Sequence, residues 1–209
     1  MKHIKLGKYV LIYLAGFLTS FSGVLDSLVK IPLSYEELKK SYVYDNKFLT
    51  GQWTTNAEYL ANSSELGLDP SQPKMTLSMK VFEDGSASGE MMSEKICDAL
   101  PLTWNIRLEA DAPTFRDFFF NRKFYLKQLH KGRIQTVAEL ELVNKDRKHG
   151  SMKFNVIGDG TGALPKKITL AKNLPQYISD FKELSDYCGE SPIQYWKDFY
   201  PKRGKNIHK

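Results

Sequence analysis

Few residues in this 209-residue chain stand at spacings that support chemistry. Cys97 and Cys188 are the two cysteines, and neither has the close sulfur or histidine neighbour that a zinc site needs. Of four histidines, His3 and His208 lie near the ends, while His130 and His149 sit in lysine-containing turns where a solvated imidazole is expected. Glu139 and Glu141 share one strand face and form a possible carboxylate pair. That face lies opposite the apolar one, so an outer, solvated wall is their expected place. Gly158-Asp159-Gly160-Thr161-Gly162 offers successive backbone N–H groups to an anion. Pro165-Lys166-Lys167 then leads into a strand, and a loop between strands is the simpler reading. Ser27-Leu28-Val29-Lys30 matches a serine–lysine pair but abuts an apolar segment and lacks partner motifs. Gly-x-Ser-x-Gly, His-Glu-x-x-His, a Walker A loop and Cys-x-x-Cys are all absent. The residues therefore predict no catalytic set, no cofactor and no metal site.

What must position these residues begins with charge. The net charge of +6 comes from the ends: Lys2, Lys5 and Lys8 at the start, and Lys202, Arg203, Lys205 and Lys209 at the finish. Residues 9–201 hold 23 basic against 24 acidic side chains, so the body is close to neutral. A phosphate-neutralising groove needs a basic stripe, and nucleic acid is not an expected partner.

Tyr9–Leu25 is seventeen residues without a charge. A helix needs about 20 apolar residues, with a range of roughly 17–25, to cross the hydrocarbon core. The basic Met1–Lys8 stretch favours a cytoplasmic N-terminus, which places everything after Asp26 outside the cytoplasm. An uncleaved membrane anchor is the first reading. A cleaved signal peptide, with Ser20-Phe21-Ser22 supplying small residues near the cut, is the second, and a helix buried in a soluble core is the third. Residues 1–31 are thus a basic leader, and 32–46 a helical spacer opened by a capping box at Ser34–Glu37. Residues 47–201 form the main domain, and 202–209 a basic tail.

From Leu49 the periodicity becomes two. Met75, Leu77, Met79 and Val81 alternate with polar residues, and Glu83-Asp84-Gly85 turns the chain into a return strand, Ser86–Ser93. Further alternating runs follow at Leu102–Glu109, Lys123–Leu129, Ile134–Val143, Met152–Val156 and Ile168–Leu170. In the run Ile134–Val143, the residues Ile134, Thr136, Ala138, Leu140 and Leu142 are expected on one face. With Leu49–Thr55 first, about eight antiparallel strands result. Such a meander closes into an up-and-down barrel or a sandwich, and the mainly β barrel is the expectation. Two short helices, Pro175–Cys188 ending at Gly189 and a second starting at Ser191-Pro192, complete the chain.

Leu49-Thr50-Gly51-Gln52-Trp53 resembles the opening of calycin barrels, the group of lipocalins, fatty-acid-binding proteins and avidins. Val81–Gly89 is similar to the second hairpin of those barrels, and a helix after the last strand is similar to the lipocalin layout. The resemblance covers the topology of residues 49–190, and it implies that Trp53 closes one end of the barrel. Trp53 as a plain core aromatic is the alternative. The Thr-Asp-Tyr of lipocalin middle turns is absent, so no particular ligand class carries over. The resemblance also suggests a Cys97–Cys188 bridge fastening the last helix to the wall. Two unpaired buried thiols are the alternative, and belong to a domain facing a reducing cytoplasm.

The functional expectation is an exported, membrane-tethered binding or interaction module without catalysis. Its partners are the membrane, through the N-terminal helix, and a small apolar or amphipathic ligand or an envelope protein. The residues expected to line the interior are Trp53, Met79, Trp104, Ile106, Leu126, Leu140 and Phe154. The same residues would equally fill a solid core. A membrane-anchored sensor whose cytoplasmic barrel binds a nucleotide-like signal is the alternative function, and an enzyme using unidentified carboxylates the third.

Overall fold

A computed structural model describes residues 45–57, 60–103, 106–130 and 132–204, all within the compact unit Val43–Lys209. The leader, the spacer up to Tyr44, Trp104 and residues 205–209 lie outside the described residues. Among the described residues, no helix is long and apolar enough to cross a membrane.

Eight strands run β1 (Gly51–Thr54), β2 (Thr76–Val81), β3 (Ala87–Met92), β4 (Ile106–Ala110), β5 (Arg122–His130), β6 (Arg133–Asp146), β7 (Ser151–Asp159) and β8 (Lys167–Lys172). Each pairs antiparallel with the next, and β8 returns to β1 through Trp53↔Lys172 and Thr54↔Ala171, closing the barrel. Closure leaves no unpaired edge, which is what a meander of short, one-face-apolar strands requires. The β2–β3 turn follows from Asp84-Gly85: Gly85 takes φ 81°, and the Asp84 carboxylate accepts from the Ser86 N–H and hydroxyl at 2.9 and 2.7 Å.

Alternation puts one apolar face inward. Trp53, Leu77, Leu108, Phe124, Leu126, Leu140, Phe154 and Ile168 are almost fully buried and belong to one continuous cluster. Phe124 and Phe154 meet edge to face at 5.3 Å. Side chains fill this interior.

One expected face is corrected. The register slips between Leu126 and Lys127, where β6 moves from Ala138 to Thr136 and leaves Val137 as a bulge. One extra residue reverses the inside–outside alternation beyond it. Ala138, Leu140 and Leu142 stay inside, whereas Ile134 is 70% exposed and Thr136 lies on the outside.

Among the described residues, four α-helices decorate the barrel: α1 (Asn46–Leu49), α2 (Leu60–Leu66), α3 (Glu94–Ala99) and α4 (Gln176–Gly204). Ser93 caps α3 by accepting from the Ile96 N–H at 3.2 Å. The two expected C-terminal helices are a single one, α4, which passes through Gly189 and Pro192. Proline removes a helical hydrogen bond, but Cys188 is covalently held and the Ser191 hydroxyl donates to the Cys97 carbonyl at 3.1 Å. These tethers to α3 hold the helix at the point where the sequence signals a stop.

Candidate functional site

The base of the barrel is built around Trp53. Its ring is fully buried, its Nε1 donates to the Leu49 carbonyl at 3.1 Å, and Phe48 meets it edge-on at 5.3 Å. Lys172, at the end of β8, lies over the ring with Nζ 5.5 Å from the centroid and donates to the Lys47 and Phe48 carbonyls at 2.8 Å each. The ammonium thereby satisfies the end of α1 and covers the tryptophan at once. Burial lowers the pKa of Lys172. Gly51 makes this crossing possible: at φ +148° it occupies backbone space that favours glycine, and a Cβ there would lie 2.5 Å from Lys172 Cε. Asp45 completes the base through ion pairs to Arg147 at 2.9 Å and Lys145 at 3.1 Å.

A second inward cation lies at this end and has no counterpart in the sequence reading. Arg122 is 8% exposed, stacks 5.0 Å over Phe124, and donates to the Gly85 and Asp111 carbonyls. Its Nε and Nη1 have no hydrogen-bond partner. Burial pushes its pKa down to about 10, so it remains charged at neutral pH. The alternating apolar run around it hides an arginine of this kind, because the first residue of a strand gives no periodic signal.

The expected interior set comes together. Trp53, Met79, Ile106, Leu126, Leu140 and Phe154 are each at most 5% exposed and all join the core cluster. They touch one another and their neighbours within that cluster. Trp104 lies outside the described residues.

The other residues of interest are engaged locally. Glu139 pairs with Lys123 at 2.6 Å and Glu141 accepts from Asn121 at 3.2 Å, both on the outer wall. The glycine-rich loop binds its own carboxylate: Asp159 accepts from Thr161 N–H at 2.8 Å, the Thr161 hydroxyl at 2.6 Å and Leu164 N–H at 2.9 Å. Burial works to raise the Asp159 pKa, but these bonds outweigh it and hold the carboxyl below the ordinary aspartate value. The anion cradle is therefore filled from within the chain. His149 Nδ1 sits 2.7 Å from Asp146, whose pKa that hydrogen bond lowers.

Among the described residues, two grooves open on the outer surface. A groove of about 350 Å³ crosses the outer wall of β4 and β5 beneath the β5–β6 hairpin. Leu102, Leu129 and Ile134 form an apolar rim, 46%, 64% and 70% exposed. The floor carries Arg107 and the Lys127–Glu109 ion pair at 3.0 Å, and Thr103 bonds Gln128 at 2.9 Å. Its size and mixed lining suit a small molecule with an apolar body and a polar end. The bulge at Val137 creates it by turning Ile134 outward, a step that strict alternation conceals. A second groove of about 540 Å³ between α3 and α4 has a mixed lining, with Asp98, Glu190, Lys197 and Asp198 beside Ile193 and Tyr195.

Cys97 and Cys188 form a disulfide with Cα atoms 5.3 Å apart, joining α3 to α4. Above it, Asp180 is 3% exposed and accepts from Thr54 at 3.0 Å and Asn56 at 3.1 Å, with Lys74 at 3.6 Å. Fold and site together define a closed, antiparallel eight-stranded barrel with a filled interior and a covalently fastened C-terminal helix. No family model, no curated protein and no solved structure matches the chain.

Proposed function

We propose that this protein is an exported, membrane-tethered binding or interaction module of calycin-like build, working without catalysis through its outer surface. The observation that carries the reading is the Cys97–Cys188 disulfide, because such bonds persist in oxidising compartments outside the cytoplasm. The basic leader and the uncharged Tyr9–Leu25 segment supply the route and the tether. Calycin-like build is supported by the base, where Gly51, Trp53 and the overlying Lys172 act together. The packed core favours recognition on the wall rather than inside the barrel. The β4–β5 groove, with Arg107 beside Leu129 and Ile134, suits a small amphipathic ligand or an apolar side chain of an envelope protein.

The test is made on the full-length protein from its native host with thiols blocked at lysis. Peptide mapping is expected to recover Cys97 joined to Cys188, and protease added to intact cells stripped of any outer barrier is expected to digest the domain. Free thiols with a protected domain would sink export and turn the search to the cytoplasmic sensor of nucleotide-like signals. For the ligand, an apolar fluorescent probe should bind the wild type and bind more weakly to Ile134→Glu and Leu129→Glu. Equal binding by all three moves recognition away from this groove.

A further inference from the structure

The outward side of α4 carries one continuous stripe at helical spacing: Ile178, Lys182, Ser185, Gly189, Ile193, Trp196 and Tyr200. Its apolar members are open to solvent, with Ile178 73%, Ile193 57%, Trp196 42% and Tyr200 65% exposed. Trp196 is braced by Phe199 at 5.6 Å and Tyr200 at 5.8 Å, so the aromatic group is pre-assembled. From Ile193 to Tyr200 every residue is exposed, although the first half of the same helix is packed on the barrel.

We propose that this stripe docks on an anionic phospholipid surface, laying α4 along the membrane as a second contact beside the leader. The proposal rests on the tether reading given above. Three observations select the occupant. Tryptophan and tyrosine with lysine and arginine make up the chemistry of the headgroup zone. Four of the acidic residues of α4 (Asp180, Glu183, Glu190 and Asp198) fall off the stripe, Asp186 borders it beside Lys182, and Lys182 falls on it. After Asp198 the chain holds only basic charges, at Lys202, Arg203, Lys205 and Lys209. A tether of residues 26–44, at most about 65 Å when fully extended, would hold α4 at high effective concentration near the bilayer. A second copy is the poorer occupant, since Lys182, Ser185 and Gly189 at the stripe's centre are weak knobs for a helix–helix seam.

Full-length protein is reconstituted in vesicles of acyl-brominated phosphatidylcholine containing about a third phosphatidylglycerol, the anionic component that basic residues sense. The chain has three tryptophans, so the share of Trp196 is isolated by comparison with Trp196→Phe. Bromine quenching is expected, with more than half of it lost in Trp196→Phe, in Lys182→Glu/Arg203→Glu and in vesicles lacking phosphatidylglycerol. Resistance of the chain to alkaline carbonate extraction is scored in parallel and reads the leader alone. Quenching equal in wild type and Trp196→Phe, in protein that resists carbonate, would overturn the docking and leave the tether standing. Trp196-dependent quenching in protein that carbonate removes would sustain the docking and overturn the tether. Trp196-dependent protection that is indifferent to phosphatidylglycerol, with cross-linking between copies, would assign the stripe to a dimer and overturn the proposal.

Discussion

The two halves of α4 have the same backbone and opposite surroundings. The first half is held by three kinds of bond: Tyr177 and Leu184 are buried, Asp180 is bonded to the end of β1, and Cys188 is covalently joined to α3. Lys74 adds a surface bridge to Glu183 at 2.7 Å, a contact of small net value in water. The second half exposes Ile193, Trp196 and Tyr200, its aromatic rings stack along the helix, and Ser191 at its start ties it to α3. Stability lives in the first half, and the second half is available for a partner. Large aromatics left exposed together are costly to solubility, so their clustering points to use.

The contrast breaks most visibly if the clamp is removed. Cys97→Ala/Cys188→Ala opens a closure between cysteines 91 residues apart. The chain-entropy model assigns such a bridge on the order of 4 kcal/mol. Urea denaturation of the double variant is expected to show a loss of that order, and reduction of the wild type should reproduce it. A change under 1 kcal/mol would mean that packing alone seats the helix, and the first half would lose its special status.

Asp180→Ala comes next. The substitution strips Thr54 and Asn56 of a buried acceptor and leaves Thr54 fully enclosed. A destabilisation of about 2–3 kcal/mol is expected in the same denaturation experiment. Asp180→Asn retains one acceptor and should recover part of it. Equal stability of both variants and wild type would show that the polar seam merely fills space.

Much of this arrangement was legible in the sequence. Eight alternating runs gave the eight strands, because a strand with one buried face writes its geometry directly into every second residue. The Asp84-Gly85 turn was visible for the same local reason, while Trp53 at the base was implied only by the calycin resemblance, beside a plain core aromatic as the alternative. What stayed hidden depends on contacts between distant residues. Ser191-Pro192 carries a genuine helix-start signal, yet the bonds from Cys188 and Ser191 to Cys97 keep α4 continuous. Ile134 looked inward until the bulge at Val137, set by pairing with β5, turned it out. The outer groove depends on that bulge and was therefore invisible. Arg122 carries no local signal, because its partners, the Gly85 and Asp111 carbonyls, come from two other turns.

In the distal half, Trp196→Ala and Tyr200→Ser are expected to change folding stability by no more than about 0.5 kcal/mol, as for exposed sites away from caps and cores. The same variants should lose lipid contact. A loss of stability comparable to that of Asp180→Ala would show that the aromatic cluster packs on something structural. The two halves would then cease to differ in kind.

The smallest effect marks where the halves meet. Tyr187 donates to Asp98 at 2.8 Å beside the disulfide, across α3 and α4, while its ring is 40% exposed. That hydrogen bond raises the tyrosine pKa above its ordinary value, with burial adding to it. A raised folded pKa means that the bond's contribution is complete below the unfolded tyrosine pKa of about 10 and disappears as pH rises through the higher folded value. Stability should therefore be insensitive to this group from neutral pH to about pH 10, with its share lost only in stronger alkali. Tyr187→Phe, which removes the donor and keeps the ring, should cost within about 0.5 kcal/mol at neutral pH and abolish that alkaline component. The check is a pair of denaturation series, wild type and Tyr187→Phe, run from neutral to strongly alkaline pH and compared by difference. If the difference already vanishes well below pH 10, the hydroxyl is not held by Asp98 and the clamp ends at Cys188. If it persists up to the alkaline step, the clamped half of α4 reaches across to Asp98, and the free half begins beyond it.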